Sequence, residues 1–257
     1  MKPLKKLRNQ LFKLLHPGNA CYCIYCNKSY SKFLHAGVKA EVFKKYKVAG
    51  GGYKTNTKCP NCGSTDRGRL LALFFKLRTG AFQKPTSILH ISPNKSLSVF
   101  LCEHATVKHV VGALEPEKFS EFNAMKLDVQ KIELDGNQFD ILICCHVLEH
   151  VDDDDRAMRE IHRVLKPTGF AILQVPLATN LEKTLEDKTL KTDRERKIAH
   201  GQVDHMRLYG LDYFDKLKKA GFRVVRDNPF QNKWLSEQEL AKHCLDKVED
   251  VIVAYKN

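Results

Sequence analysis

Acidic residues are nearly missing from the first 58 positions of this 257-residue chain, where Glu41 stands alone against 13 lysines and arginines, a net of +12. Positions 59–257 hold 30 basic residues against 29 acidic ones, a net of +1, so almost the whole formal charge of +13 belongs to the N-terminal quarter. A field of that sign attracts polyanions: nucleic acid, an anionic membrane surface, or an acidic or carrier-linked substrate. Lysine-rich runs also serve simply to solvate a surface. Any run of about 18 apolar residues is lacking too, and no apolar signal centre opens the chain, so neither a membrane span nor export is expected and the cytoplasm is the default. A disulfide scaffold is not suggested either. The nine cysteines include close pairs and the expected compartment is reducing, which points to metal instead.

What is present can fill a core: 43% of residues are hydrophobic, enough for one large domain and a small appendage. Residues 1–20 read as a basic amphipathic helix, with Leu4, Leu7, Leu11, Leu14 and Leu15 at helical spacing and Pro17 and Gly18 as its stop. Such a helix lies on a membrane, packs on its own protein or frays, and the sequence leaves all three open. Residues 21–64 carry two C-x-x-C knuckles, Cys23 with Cys26 and Cys59 with Cys62, separated by 32 residues. Each knuckle presents two thiolates on a tight turn, and four thiolates close a tetrahedral zinc site. Structural zinc in a ribbon-like segment is therefore expected, with unliganded thiols as the alternative and Cys21 out of register. From Thr65 to Arg78 the pattern is helical and Gly80 ends it.

The remainder, 65–257, alternates apolar runs with helical segments. Seven strands are expected at 87–92, 107–113, 124–128, 139–145, 170–175, 222–227 and 249–255, an α/β, doubly wound, Rossmann-like sheet covered on both faces. Ligands in that architecture lie beyond the carboxyl ends of the strands.

The stretch "FDILICCHVLEHVDDDDRAMREIHRVLKPTGFAILQVP" resembles the fourth and fifth strands of class I S-adenosylmethionine-dependent methyltransferases. "CPNCGSTDRGRLL", "LHISPNKSL", "LEPEKF" and "GQVDHMRLYG" make the chain similar to a subgroup with an N-terminal cysteine-rich segment. The resemblance implies S-adenosylmethionine as cofactor. It also implies cofactor contacts at His90, Ser92 and Pro93 after the first strand, where "HISPNKS" replaces the family's glycine-rich turn. Glu115 matches the acid on the ribose, Asp128 the acid near the adenine amino group, and Cys145 and His146 the end of the fourth strand. A strand end for His90 and a cap for Asp128 are the alternatives.

His146, Glu149 and His150 stand at i, i+3 and i+4, one face of a helical turn. His205, with His200 nearby, is expected to complete this catalytic set from an insertion at 178–207 that serves as a substrate lid. Related O-methyltransferases bind a divalent cation with an E-x-x-E-H arrangement. His146 in place of the first glutamate favours a softer metal than magnesium, against a metal-free base or a plain structural turn. Asp152 to Asp155 read as an exposed helix start. Arg207 and Tyr209 either contact the acceptor or anchor the insertion. Three functions follow: methylation of a small-molecule or glycan acceptor, methylation of RNA gripped by the basic segment and its aromatics, or binding without catalysis.

Overall fold

The computed structural model describes residues 3–256, with side chains from Leu7 to Lys256. Met1 and Lys2 of the expected first helix, the Leu4 side chain and Asn257 lie outside the described residues. Helix α1 (Pro3–Leu15) runs up to the Pro17–Gly18 stop. The cysteine-rich segment follows as β1 (Cys21–Cys23), β2 (Lys28–Tyr30), β3 (Leu34–Ala36), α2 (Glu41–Lys45), β4 (Val48–Ala49) and β5 (Lys54–Lys58). Strands β1 and β2 form one hairpin and β3 pairs with β5, both antiparallel. Helix α3 (Asp66–Arg78) then leads to the sheet.

The rest of the chain is β6 (Thr86–Ile91), α4 (Lys95–Cys102), β7 (Val107–Ala113), a 3-10 turn (Pro116–Phe122), β8 (Met125–Lys126), β9 (Phe139–Cys144), α5 (Asp154–Val164) and β10 (Leu165–Ile172). An insertion then supplies β11 (Leu177–Ala178), β12 (Leu185–Glu186), α6 (Asp193–His200) and β13 (Arg207–Leu208). The chain closes with α7 (Tyr213–Lys219), β14 (Phe222–Asp227), α8 (Glu237–Lys242) and β15 (Val251–Lys256). The central sheet has seven strands in the order β14-β15-β10-β9-β6-β7-β8, and β15 alone opposes its neighbours. All seven expected strands are present, the third shortened to two residues.

Alternation along each strand splits the core in two. Ile88, Ile141, Ile143, Ile172 and Val253 pack under Leu70, Phe74 and Phe75 of α3 and Leu97 and Leu101 of α4. Leu89, Leu142, Cys144, Leu173 and Ile252 pack under Ala157, Met158 and Ile161 of α5 and Tyr213 and Leu217 of α7. Chain order reverses between β6 and β9, so the crevice beyond their carboxyl ends is where this architecture seats a ligand.

The insertion is not a free flap. Its Leu177–Ala178 pairs antiparallel with Val48–Ala49 of the cysteine-rich segment. A Cβ on Gly201 would fall 2.2 Å from Phe43 Cε1, so α6 sits hard against α2. The aspartate run also departs from the expected exposed helix start. Asp153 caps α5 by accepting from Arg156 N at 2.8 Å, but Asp154 is buried, bonded by Tyr209 Oη at 2.8 Å and Lys216 Nζ at 2.9 Å. Burial alone would raise the Asp154 carboxyl, but Lys216, Arg207 and Tyr209 hold it below the usual carboxylate range.

Candidate functional site

Two non-glycine residues stand at the carboxyl ends of the two strands that border the crevice, both with left-handed backbones: Ser92 after β6 (φ 48°) and His146 after β9 (φ 58°). An L-residue adopts that region at a cost, met only where surrounding bonds impose it. Here Ser92 N donates to Gly112 O at 2.8 Å and His146 N to Gln174 O at 2.8 Å. Gln174 is fixed in turn, its amide donating to Asp250 O and its Oε1 accepting from Ile252 N. Thus "HISPNKS" makes without glycine the sharp turn for which glycine is the usual residue.

A cavity of about 600 Å³ opens beyond these ends, lined among others by Ser92, Glu115, Asp128, His146 and His150. Glu115 is exposed and paired with Lys118 at 2.5 Å. Asp128 Oδ1 accepts from Gln130 N at 2.8 Å, a turn-forming bond beside whatever else it contacts. The structure places three other expected contacts off this cavity's lining. His90 is buried in the sheet, 3.2 Å from Ser98 Oγ and 3.3 Å from His109 Nε2. Pro93 is buried in the turn, and Cys145 points its Sγ toward Ile172 O at 4.0 Å. Burial keeps the His90 imidazole well below its ordinary value, hence neutral, and pushes the Cys145 thiol up to about 12.

A second, smaller cavity of about 230 Å³ lies between the sheet and the cysteine-rich segment, lined by Gly50, Gly51, Gly52, Arg67, Glu149 and Gln202 among others. Gly50 is needed there: its φ is 68°, and a Cβ would come 3.1 Å from Val175 O. His146 and His150 line both cavities.

Residues 146–150 form an irregular turn rather than the expected helical one; α5 begins only at Asp154. Its carbonyls are held by the insertion: Arg207 donates to Leu148 O, Val151 O and Asp152 O, and Tyr209 Oη to Leu148 O. Arg207 and Tyr209 are fully buried anchors. The turn then divides the expected set. His146 Nε2 lies 2.7 Å from Arg67 Nη1, which fixes that nitrogen as an acceptor. Burial, reinforced by the Arg67 charge, lowers the His146 pKa. Donor atoms of Glu149, His150 and His205 instead lie within 4.8 Å of one another.

Those three fit a divalent cation. Both Glu149 carboxylate oxygens are buried and accept no well-formed hydrogen bond, with His146 Nδ1 3.3 Å from Oε1. Burial raises the Glu149 carboxyl, but the neighbouring His146 and His150 outweigh this and leave it below its ordinary value. His150 Nδ1 lies 3.0 Å from Asp204 O and His205 Nδ1 3.2 Å from His200 O, so both carry their proton there and keep the Nε2 lone pair. Gln202 Nε2, 3.0 Å from His205 Nε2, satisfies that lone pair here.

At the far end, Cys23, Cys26, Cys59 and Cys62 bring their sulfurs within 4.8 Å of one another, with Cys23 to Cys62 at 3.5 Å and Cys26 to Cys59 at 3.7 Å. Bonding among the four sulfurs holds Cys23 and Cys62 below the usual thiol range and Cys26 and Cys59 above it, so they share protons as one cluster. Ser64 Oγ approaches Cys23 and Cys62 at 3.2 Å each. The set fits tetrahedral zinc.

Sequence reasoning missed Arg67, Gly50 and Gln202. Arg67 stands in the quoted "TDRGRLL", just inside α3, but nothing local shows that α3 begins against the end of β9.

Residues 98–173, from within α4 to just past β10, match the family model described as a methyltransferase domain. Sterol 24-C-methyltransferase of Kluyveromyces lactis is 31% identical over 116 residues, 42% of this chain. The chain spans 29% of the length of that curated relative. The fold is similar to that of the YcgJ protein of Bacillus subtilis (TM-score 0.47, 14% identity, 73% of this chain and 99% of that one). It is also similar to an S-adenosylmethionine-dependent methyltransferase of Mesorhizobium loti (TM-score 0.48, 14% identity, 74% and 98%).

Proposed function

We propose that the chain is an S-adenosylmethionine-dependent methyltransferase that binds its cofactor in the larger cavity and methylates an oxygen of a small-molecule or glycan-type acceptor in the smaller one. The observation that carries this reading is the wall of His146 and His150 common to both cavities. It is the place where a methyl donor and an acceptor would meet. The acceptor side is narrow, about 230 Å³, and roofed by the cysteine-rich segment, which suits a small group or the end of a chain better than a duplex.

The sulfonium of the cofactor supplies an already activated methyl group, so the protein's work is alignment, exclusion of water and removal of one proton. Ser92 and Asp128 would position the cofactor, with Glu115 at its edge. His146 is a neutral, oriented wall, because Arg67 occupies its Nε2. His150, whose side chain is 33% exposed, keeps the one Nε2 lone pair on that wall, and in the absence of metal it accepts the acceptor's proton. Glu149, His150 and His205 would hold a divalent cation, which when bound lowers the pKa of a hydroxyl beside it. The orphaned Glu149 oxygens favour that arrangement, and two imidazoles with one carboxylate select zinc, iron, nickel or manganese over calcium. Zinc at the four cysteines would hold the roof in place.

Calorimetric titration with S-adenosylhomocysteine tests the reading. Saturable binding that is weakened by Asp128→Ala supports it; no binding to the intact chain removes both the enzyme and the cofactor.

A further inference from the structure

Among its described side chains, helix α1 contacts the cysteine-rich segment by one side. Lys13 Nζ donates to Asn61 Oδ1 at 2.8 Å, Phe12 packs its ring on His16, and His16 O accepts from Ser31 N at 3.1 Å. At 100° per residue, Asn9, Phe12, Lys13 and His16 share that side, and these are the residues between Leu7 and His16 that are partly shielded. Leu7, Leu11, Leu14 and Leu15 fall on the opposite side and are 64%, 56%, 78% and 64% exposed. Of the three fates open to this helix, packing its leucines on its own protein is therefore not the one adopted. Residues 1–15 also hold Lys2, Lys5, Lys6, Arg8 and Lys13 and no acid.

We propose that α1 is a docking element for an anionic lipid bilayer, lying in the plane of the interface with its leucine stripe among the acyl chains and its cations among the headgroups. The inference goes beyond the methyl-transfer reading and does not depend on it. Charge alone would match nucleic acid equally well, but phosphates give four exposed leucines nothing to pack on. A neutral apolar partner would take the leucines and leave the cations unmatched. An anionic bilayer takes the exposed leucines together with the cations that reach out from the flanks of their stripe. The helix has 13 residues, and no helix among those described is long and apolar enough to cross a membrane, so the helix lies on the bilayer.

The test is co-sedimentation of the full-length chain with phosphatidylcholine vesicles, with and without phosphatidylserine. Binding is expected to the mixed vesicles and to be about a hundredfold weaker without phosphatidylserine, at roughly fivefold for each cation engaged. Replacing Leu7, Leu11 and Leu14 together by serine leaves the charge intact and should weaken binding to the mixed vesicles by about tenfold or more. Lys5→Gln, Lys6→Gln and Arg8→Gln together should cost about as much as removing the anionic lipid, and this second variant tests the proposal should the serine variant not fold. Vesicle binding that is absent, or indifferent to both variants, overturns the proposal. So does RNA binding that survives the serine variant without any vesicle binding, or leucine-dependent self-association in lipid-free solution that leaves nothing to dock.

Discussion

Arg67 Nη1 lies 2.7 Å from His146 Nε2, joining the first turn of the helix that leaves the cysteine-rich segment to the residue that ends the fourth strand of the parallel sheet in chain order. The guanidinium also donates to Gly50 O and has no carboxylate partner within ion-pair distance among the described residues. Its charge acts on His146 and, without a direct ion pair, on the buried Glu249 carboxyl. The imidazole is kept neutral by burial first and by Arg67 second. Replacing Arg67 by methionine should raise the His146 pKa toward its ordinary value, read as the proton-dependent shift of its ring carbon in NMR. An unchanged titration would show that burial alone sets it.

The four-cysteine cluster should hold one zinc per chain, and removing it should act on the acceptor side. Gly50, Gly51 and Gly52, which follow β4 in the same segment, line the smaller cavity. Cys59→Ser with Cys62→Ser is expected to abolish zinc in metal analysis and to raise acceptor KM, while S-adenosylhomocysteine affinity stays within about threefold, its cavity being built from the sheet domain. Equal loss of both affinities would mean that the sheet does not stand without the ribbon.

Arg207 is fully buried, and its donors hold three carbonyls of the turn that carries Glu149 and His150. Arg207→Met removes a buried charge together with those bonds and leaves Glu186 and Asp154 without it. A loss of about 3–5 kcal/mol in urea unfolding is expected. A loss under about 1 kcal/mol would show that water replaces the guanidinium.

Stability should fall on mild acidification for reasons remote from the site. His90, His109 and His243 are held below the ordinary histidine value of 6.5 by burial, His109 to about 4. Such groups bind protons in the unfolded chain before the folded one, so stability is complete above 6.5 and is lost as the pH falls from there toward the folded values. The urea midpoint should be lower at about pH 5 than at about pH 7.5, with unchanged slope. A flat profile would refute the assignment, and His109→Phe should flatten it in part.

The strand pattern of the sheet was legible because each strand announces itself locally: Val107–Ala113 and Phe222–Asp227 coincide with the runs read from the sequence. The thiol pairs were legible for the same reason, since C-x-x-C is a local geometry. What could not be read were contacts between distant segments. The pairing of Ala49 with Leu177 and the approach of Arg67 to His146 join residues 128 and 79 positions apart and carry no periodic signal. The "HVLEH" spacing invited a helix, but the carbonyls of the turn are taken by Arg207 and Tyr209, so no helical ladder forms there.

The arrangement of that turn makes the last prediction specific. If Glu149, His150 and His205 act together, Glu149→Gln removes a buried carboxylate that accepts no hydrogen bond but whose charge His146 and His150 favour, so the two effects offset and stability should change by less than about 1 kcal/mol. Turnover should nevertheless fall about 10²-fold, the scale of losing a proton acceptor or the cation beside it, with S-adenosylhomocysteine affinity little changed. A purely structural Glu149 gives the reverse, a lower melting temperature with turnover intact per folded molecule. His146→Ala separates the two histidines: with its Nε2 already occupied by Arg67, its loss should affect cofactor affinity through the wall more than the proton step, whereas His150→Ala should cost turnover. Chelator then divides the remaining cases. Activity that falls and returns with manganese, nickel or zinc places a cation at the three residues, and chelator-resistant activity leaves His150 as a plain base. Because chelator also strips the cysteine cluster, the comparison is made on the Cys59→Ser and Cys62→Ser chain at saturating acceptor. If that chain is active and indifferent to chelator, Glu149, His150 and His205 hold no metal.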